Sequence, residues 1–227
     1  MLRYFTKFEI ILWFCSCGMI SVIFGCNPHR DVLTLIASLL GATMLIFLAK
    51  GHPIGQIMTI IFSIIYAVIS YRSRYYGEMI TYLGMTAPTA AVAAYHWLKN
   101  PYQKGKAEVK VASMNVKKVA GLAIATIGAT VIFFFILRYL NTANLNVSTF
   151  SITTSFLASA LTVLRSHYYA LAYAMNDIVL MVLWTMASIV DISFLPMVLC
   201  FGVFLINDIY GYVNWMRMKH RQEENES

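Results

Sequence analysis

The sequence predicts an all-α polytopic membrane protein with about eight transmembrane helices, on three observations. Hydrophobic residues fill 59% of the 227 positions, charged residues only 12%, and mean hydropathy is +0.69. Soluble domains carry roughly 25% charge. Eight apolar runs of membrane-spanning length follow one another, at about 8–25, 31–49, 53–71, 77–97, 118–140, 148–165, 168–188 and 192–215. The third observation is an internal repeat. Three-span units at 31–97 and 148–215 flank the single span 118–140, which gives two parallel three-helix repeats joined by a linker helix, plus one extra N-terminal helix.

The first run follows Arg3 and Lys7, as a signal peptide does, but it is long for one, contains Glu9 and places Phe24 poorly for cleavage before Cys26. Residues 1–29 are therefore expected to form a peripheral helix. Residues 30–98 make the first repeat, 99–146 a basic loop and the linker helix, 147–217 the second repeat, and 218–227 a charged tail. The loop carries Lys99, Lys104, Lys106, Lys110 and Lys117 with Pro101 and Gly105, and is the clearest internal boundary. Within 77–97, Pro88 lacks an amide hydrogen and frees the carbonyl of Gly84, which predicts a kink or hinge.

The repeat rests on two alignments. Ser38-Leu39-Leu40-Gly41-Ala42 lies over Ser155-Phe156-Leu157-Ala158-Ser159 at an offset of 117. Tyr95-His96-Trp97-Leu98-Lys99 lies over Val213-Asn214-Trp215-Met216-Arg217 at 118. Gln56 and Asn176 fall at similar depth. One intervening helix keeps the two units parallel, as in SWEET-type sugar exporters, and places a substrate site near the midplane between them. Two triplets that rock against each other are what alternating access needs.

Lys and Arg set the orientation. With the N-terminus inside, Arg3, Lys7, Lys50, the six lysines from Lys99 to Lys118, Arg165, Arg217, Lys219 and Arg221 face the cytoplasm, thirteen in all. Arg30, Arg72, Arg74 and Arg138 face out. Both termini are thus expected in the cytoplasm, and the net charge of +7 is topogenic and needs no nucleic acid to explain it. Cys15, Cys17, Cys26 and Cys200 show no metal spacing and no disulfide framework.

Polar and aromatic residues recur at helical spacing inside three spans. Tyr169, Tyr173, Asn176, Leu180 and Trp184 form one stripe. Asn207, Tyr210 and Asn214 form a second, with Asp208, Gly211 and Trp215 one position round. Gln56, Thr59, Ser63, Tyr66 and Ser70 form the counterpart in the first half. Such groups are costly in a bilayer unless they meet each other, water or a ligand. A polar, aromatic-walled cavity is expected, with Gln56, Tyr66, Tyr169, Tyr173, Asn176, Asp177, Trp184, Asn207, Asp208, Tyr210 and Asn214 as substrate-binding candidates.

Blander roles compete. Thr59, Ser63 and Ser70 are expected to bond neighbouring helices, and Ser151, Ser155 and Ser159 with Thr34, Ser38 and Ala42 to be packing ridges. Trp97 and Trp215 fall at span ends, where tryptophan anchors to the interface, and His96 reads as a satisfied polar group. Asp177 and Asp208 are the acids placed deepest, whereas Glu9, Glu78 and Asp191 lie near span ends. The two aspartates are open to binding a cationic or hydroxyl-rich substrate, pairing with Arg165, or bonding across helices.

Rings for stacking and amides for edge recognition suit an uncharged or weakly charged aromatic metabolite better than an inorganic ion. No P-loop, GxSxG, HExxH or GxGxxG motif supports an enzyme or ATPase, and no cofactor or metal is implied. Two rivals to a carrier remain: a membrane-embedded enzyme using Asp177 or Asp208 as acid or base, and a ligand-sensing or scaffolding subunit that binds without flux.

The run Asn207-Asp208-Ile209-Tyr210-Gly211-Tyr212-Val213-Asn214-Trp215, followed by a basic tail, resembles the closing signature of PnuC-type vitamin transporters. The stretch from Pro88 to Tyr95-His96-Trp97 resembles their first-half segment, and the likeness covers about residues 30 to 220. It implies a SWEET-like 3+1+3 plan and facilitated diffusion of nicotinamide riboside, another nucleoside, thiamine or riboflavin. It further implies trapping by a cytoplasmic kinase, in a bacterial inner membrane. Nicotinamide riboside members share a Trp-x-x-Trp pair where this chain has Tyr169 and Ala172, and their first-half Gln and Asn fall on Ala90 and His96. These departures leave the base or vitamin open, deoxynucleosides included. Self-association into a homo-oligomer is also left open.

Overall fold

The computed structural model describes residues 4–26, 31–73, 75–142 and 144–225. Arg3, Arg30 and Arg74, part of the charge count, lie outside them. The described chain makes eight helical passes. The first three are α1 (Lys7–Cys26), α2 (Val32–Ala49) and α3 (Pro53–Arg72). The fourth is composite: α4 (Tyr76–Thr81), a π-helical turn over Tyr82–Thr86, and α5 (Ala87–Lys99). Then come α6 (Val116–Tyr139), α7 (Leu145–Val163) and α8 (Tyr169–Val190). A 3-10 turn over Ile192–Phe194 leads into α9 (Leu195–Glu224). Among the described residues six helices are long and apolar enough to cross a membrane alone. The composite pass and the Ser- and Thr-rich α7 complete the eight.

Helix boundaries follow capping chemistry. Asp31 caps α2 by accepting from the backbone N–H groups of Leu33 and Thr34. His52 caps α3 ahead of Pro53, whose missing N–H costs nothing in a first turn. Asn115 caps α6. Pro88 sits exposed in the first turn of α5, immediately after the π-helical turn. The expected disruption thus takes the form of a widened turn, a common answer to a proline in a helical ladder.

The two triplets, α2–α3–α4/α5 and α7–α8–α9, meet along α2 with α9 and α5 with α7. Their first helices end alike at the end of the bundle that carries Lys50, the 100–115 loop and the tail of α9, here the basic end. The N–H of Gly51 donates to Leu48 O at 2.9 Å, and that of Arg165 donates to Thr162 O at 3.0 Å. Both residues are left-handed, with φ of 63° and 57°. Glycine adopts that conformation freely, whereas arginine does so at a cost of about 1 kcal/mol.

α6 packs on α7, with Thr130 and Thr153 hydroxyls 2.9 Å apart, and is otherwise largely exposed. α1 lies outside α2 and α9, yet it is fastened to them by buried polar contacts. Trp13 Nε1 donates to Thr43 Oγ1 at 3.0 Å, and Lys50 Nζ lies 3.0 Å from the carboxylate of the buried Glu9. Glu78, also near a span end, is buried against Ser151. The Ser63 hydroxyl bonds back along α3 to Thr59 O, whereas the Thr59 hydroxyl donates to Gly55 O and also reaches Met44 Sδ on α2, at 3.6 Å. Arg165 contacts Lys110 O at the basic end and is not paired with Asp177 or Asp208.

Candidate substrate cavity

Between the triplets lies an internal cavity walled by α2, α3, the π-helical turn, α7, α8 and α9. Gln56, Asn176, Asp177 and Asp208 give it polar groups; Phe62, Tyr82, Tyr173, Phe201 and Phe204 give it rings. Its free space is about 50 Å³, room for a few water molecules but not for a metabolite. Admitting a larger molecule requires the triplets to move.

Each polar group is positioned by its helix. On α8, Tyr173, Asn176 and Asp177 share a face. Asn176 Oδ1 accepts from Thr154 and Ser155 hydroxyls at 2.8 and 2.9 Å, which turns its NH₂ group away from α7. Tyr173 OH lies 3.2 Å from Ser159 Oγ. Asp177 and Asp208, on facing helices, hold their carboxyls within hydrogen-bond reach of each other. Gln56 Nε2 is buried with no hydrogen bond to any described residue, and Asp177 Oδ2 has no donor apart from the Asp208 carboxyl. A free amide donor and a pair of facing carboxyls therefore stand in the wall. Among the described residues no Lys, Arg or His lines the cavity.

The remaining candidates lie elsewhere. Tyr66 OH accepts from Trp184 Nε1 at 3.0 Å, and this pair sits toward the end opposite the basic one. Tyr169 packs against Trp97 and Trp215 at the basic side, with ring centroids 6.3 and 4.7 Å away. On α9 the stripe Asn207, Tyr210 and Asn214 turns outward, contrary to expectation. Asn207 Nδ2 donates to Ser16 Oγ at 2.9 Å, Tyr210 OH to Glu9 Oε1 at 2.8 Å, and Asn214 Nδ2 to Ala49 O at 2.8 Å. The outer helix α1, together with the end of α2, absorbs those groups. Asp208, one position round, faces in instead.

The cavity also holds residues that the spacing did not mark. Tyr82 and Thr86, four apart in the π-helical turn, line it. Their signal was their place just before Pro88. Ser155, expected to be only a packing residue, both lines the cavity and holds Asn176.

Toward the basic end the cavity is closed by Trp97 and Trp215, exposed by 1% and 0%. Trp97 Nε1 donates to Thr162 O at 3.0 Å and Trp215 Nε1 to Leu48 O at 2.9 Å, each reaching the first helix of the other triplet. In place of the interfacial anchoring expected for both, each indole adds a second bond to a last-turn carbonyl that already accepts from the N–H of Gly51 or Arg165 and still has a free lone pair. Toward the opposite end, a vestibule of about 190 Å³ beside Asp31, Arg72 and Trp184 shares the walls Thr34, Ile69 and Met197 with a neck of about 10 Å³ beside Phe62, Tyr66, Phe201 and Phe204.

Residues 31–217 match the family model described as nicotinamide mononucleotide transporter. The chain belongs to this family. It is 26% identical over 220 residues to the nicotinamide riboside transporter PnuC of Neisseria mucosa, covering 95% of this chain and 83% of that one. Against the nicotinamide riboside transporter PnuC of Haemophilus influenzae it is 23% identical over 190 residues, covering 83% and 81%. The crystal structure of a vitamin B3 transporter PnuC superposes with a TM-score of 0.83 at 25% identity, covering 96% of this chain and 94% of the other. This is a multi-pass membrane transporter of the PnuC family, not an enzyme.

Proposed function

We propose that the protein mediates facilitated diffusion of a nucleoside-class metabolite, nicotinamide riboside or another (deoxy)nucleoside. It works as an alternating-access uniporter of the bacterial inner membrane with both termini in the cytoplasm, and the cargo is trapped inside by phosphorylation. The observation that carries this reading is the closed cavity between the triplets, where an unpartnered amide nitrogen and a pair of facing carboxyls stand beside aromatic rings. Amides and carboxyls read hydroxyls and a base edge, while ring faces stack on a heterocycle. The relatives named as nicotinamide riboside transporters support the same class.

Charge narrows the class further. A wall with two facing carboxyls and no cation gives the phosphate of a mononucleotide nothing to pair with, and a ring bearing positive charge is the cargo beside which either carboxyl could ionise. Nicotinamide riboside and thiamine share that feature, so thiamine is the second reading; riboflavin lacks it.

Uptake into liposomes tests the proposal. The purified protein should accumulate at least one of nicotinamide riboside, thiamine, uridine or thymidine to equilibrium without ATP or an ion gradient, and should exclude nicotinamide mononucleotide. No flux with any of them, or flux only under a gradient, overturns the uniporter. Asp177→Asn and Asp208→Asn should depress uptake of cationic cargo more than of neutral cargo; equal losses remove the charge argument.

A further inference from the structure

The 100–115 loop crosses the basic end as an ordered segment and not as a loose connection. Its Val109 N–H donates to Gly51 O at 3.0 Å, and its Ala112 N–H donates to Arg165 O at 3.0 Å. Those carbonyls belong to the two left-handed residues that end α2 and α7, one in each triplet. Residues 108–112 therefore bridge the seam that Trp97 and Trp215 also cross. An N–H···O bond does not survive much beyond 3.5 Å. The triplets cannot part at this end while both bonds stand.

The segment is itself pinned, by the tail of α9. Gln222 Oε1 accepts from Val111 N–H at 2.8 Å, and its Nε2 donates to Val109 O at 3.1 Å and Glu108 Oε1 at 2.8 Å. Gln222 is buried, and Val109 beneath it has no exposed surface. Arg221 adds an exposed ion pair to Glu108, worth little alone. Beside the segment, between Lys118, Arg165 and Lys219, lies an open cleft of about 500 Å³, so nothing jams it in place.

We propose that residues 108–112 are a strap holding the basic-end closure shut, and that Gln222 is the positioning residue that fastens it. Resting on the alternating-access reading above, this makes release of Gln222 a condition for opening the cavity to the cytoplasm. The cargo-facing residues are not involved. The strap sets how often the cavity opens inward, not what it binds.

Cysteine labelling tests this without any cargo. In a full-length chain whose four native cysteines are replaced, Thr86→Cys places a thiol in the cavity. A membrane-impermeant maleimide is applied to intact cells and to inside-out vesicles. Adding Gln222→Ala should raise labelling from the cytoplasmic side about tenfold, as expected for loss of several hydrogen bonds, and leave labelling from the other side unchanged or lower. Equal labelling on the cytoplasmic side, or a rise on both sides, overturns the strap.

A second arm covers the case in which Gln222→Ala does not fold. Glu108→Cys with Arg221→Cys, bridged by a reducible bifunctional thiol reagent before Thr86→Cys is probed, should suppress cytoplasmic labelling until reduced. Unchanged labelling after bridging overturns the strap as well. Because neither arm needs a substrate, failure of the whole uptake panel beside a responsive strap sinks the proposed cargo and leaves this inference standing.

Discussion

The cavity has two closures, and they are built from different materials. At the basic end, indole N–H groups grip backbone carbonyls across the seam, and a strap lies over them. At the opposite end, side chains meet side chains: Tyr66 and Trp184 share one hydrogen bond, and Phe62, Phe201 and Phe204 crowd a narrow neck that adjoins an open vestibule. The strap's backbone-to-backbone bonds break only when the segments they join move apart, whereas a ring can turn within its rotamer wells. The conformation seen here is thus held firmly on one side and lightly on the other. Opening on the lightly held side should therefore need less rearrangement than opening at the basic end.

The largest effect separating the two closures is expected from Trp215→Ala. It removes a fully buried indole, its bond to Leu48 O and its contact with Trp97 at 5.3 Å. Large-to-small changes at such sites cost about 3–5 kcal/mol. The melting temperature in detergent should fall by about 6–20 degrees, or the protein should fail to fold. A loss of only a few degrees removes the contrast with the other end.

Gly41→Ala comes next and strikes the opposite closure. A Cβ there would run into the tip of the Phe204 ring, which walls both neck and cavity. Displacing the ring should cost about 1–3 kcal/mol, as overpacking does. Uptake should drop while labelling of Thr86→Cys from the basic side stays unchanged. Unimpaired uptake means Phe204 yields too easily to count as part of the closure.

Tyr66→Phe should be milder. It deletes the acceptor for Trp184 Nε1 and keeps the ring, a loss of about 1 kcal/mol in a membrane bundle. Faster labelling from the opposite side with little change in melting temperature is the expected result. No change in labelling makes the pair mere packing.

The contrast between the closures also explains what was legible in the sequence. Six of the eight spans in the described residues are readable from apolar length alone, since the bilayer imposes it. Gln56, Tyr173, Asn176, Asp177 and Asp208 could be marked as inward polar residues and do line the cavity. Asn207, Tyr210 and Asn214 had the same periodicity but face α1 and α2. Spacing fixes which residues share a face; it does not say whether that face meets a cavity or a neighbour. The partners Ser16 and Glu9 lay on a helix expected to be peripheral, and nothing local linked it to α9. Trp97 and Trp215 were hidden for a similar reason. A tryptophan near a span end reads as an anchor until a carbonyl from the other triplet is seen beside it. The strap was invisible because its bonds join residues more than fifty positions apart.

Acid should distinguish the ends by the smallest margin. His52 Nδ1 accepts from Ile54 N–H at 3.1 Å to cap α3 beside the strap, and burial holds its imidazole below the ordinary histidine value. His167, at the start of α8, is lowered first by burial and then by Lys219. A group whose folded value is depressed favours the folded state above its unfolded value, about 6.5, and that stability is lost as pH falls below it. Protonated His52 cannot accept, so acidification should loosen the basic end, by no more than a cap's worth of about 1 kcal/mol. Replacing it with a cap that does not titrate, His52→Asn, should flatten the fall in melting temperature between pH 7 and pH 5, a range that brackets the histidine value. If the two pH profiles run parallel, the acid response belongs to His167 or to neither, and the cap is not what makes this end sensitive.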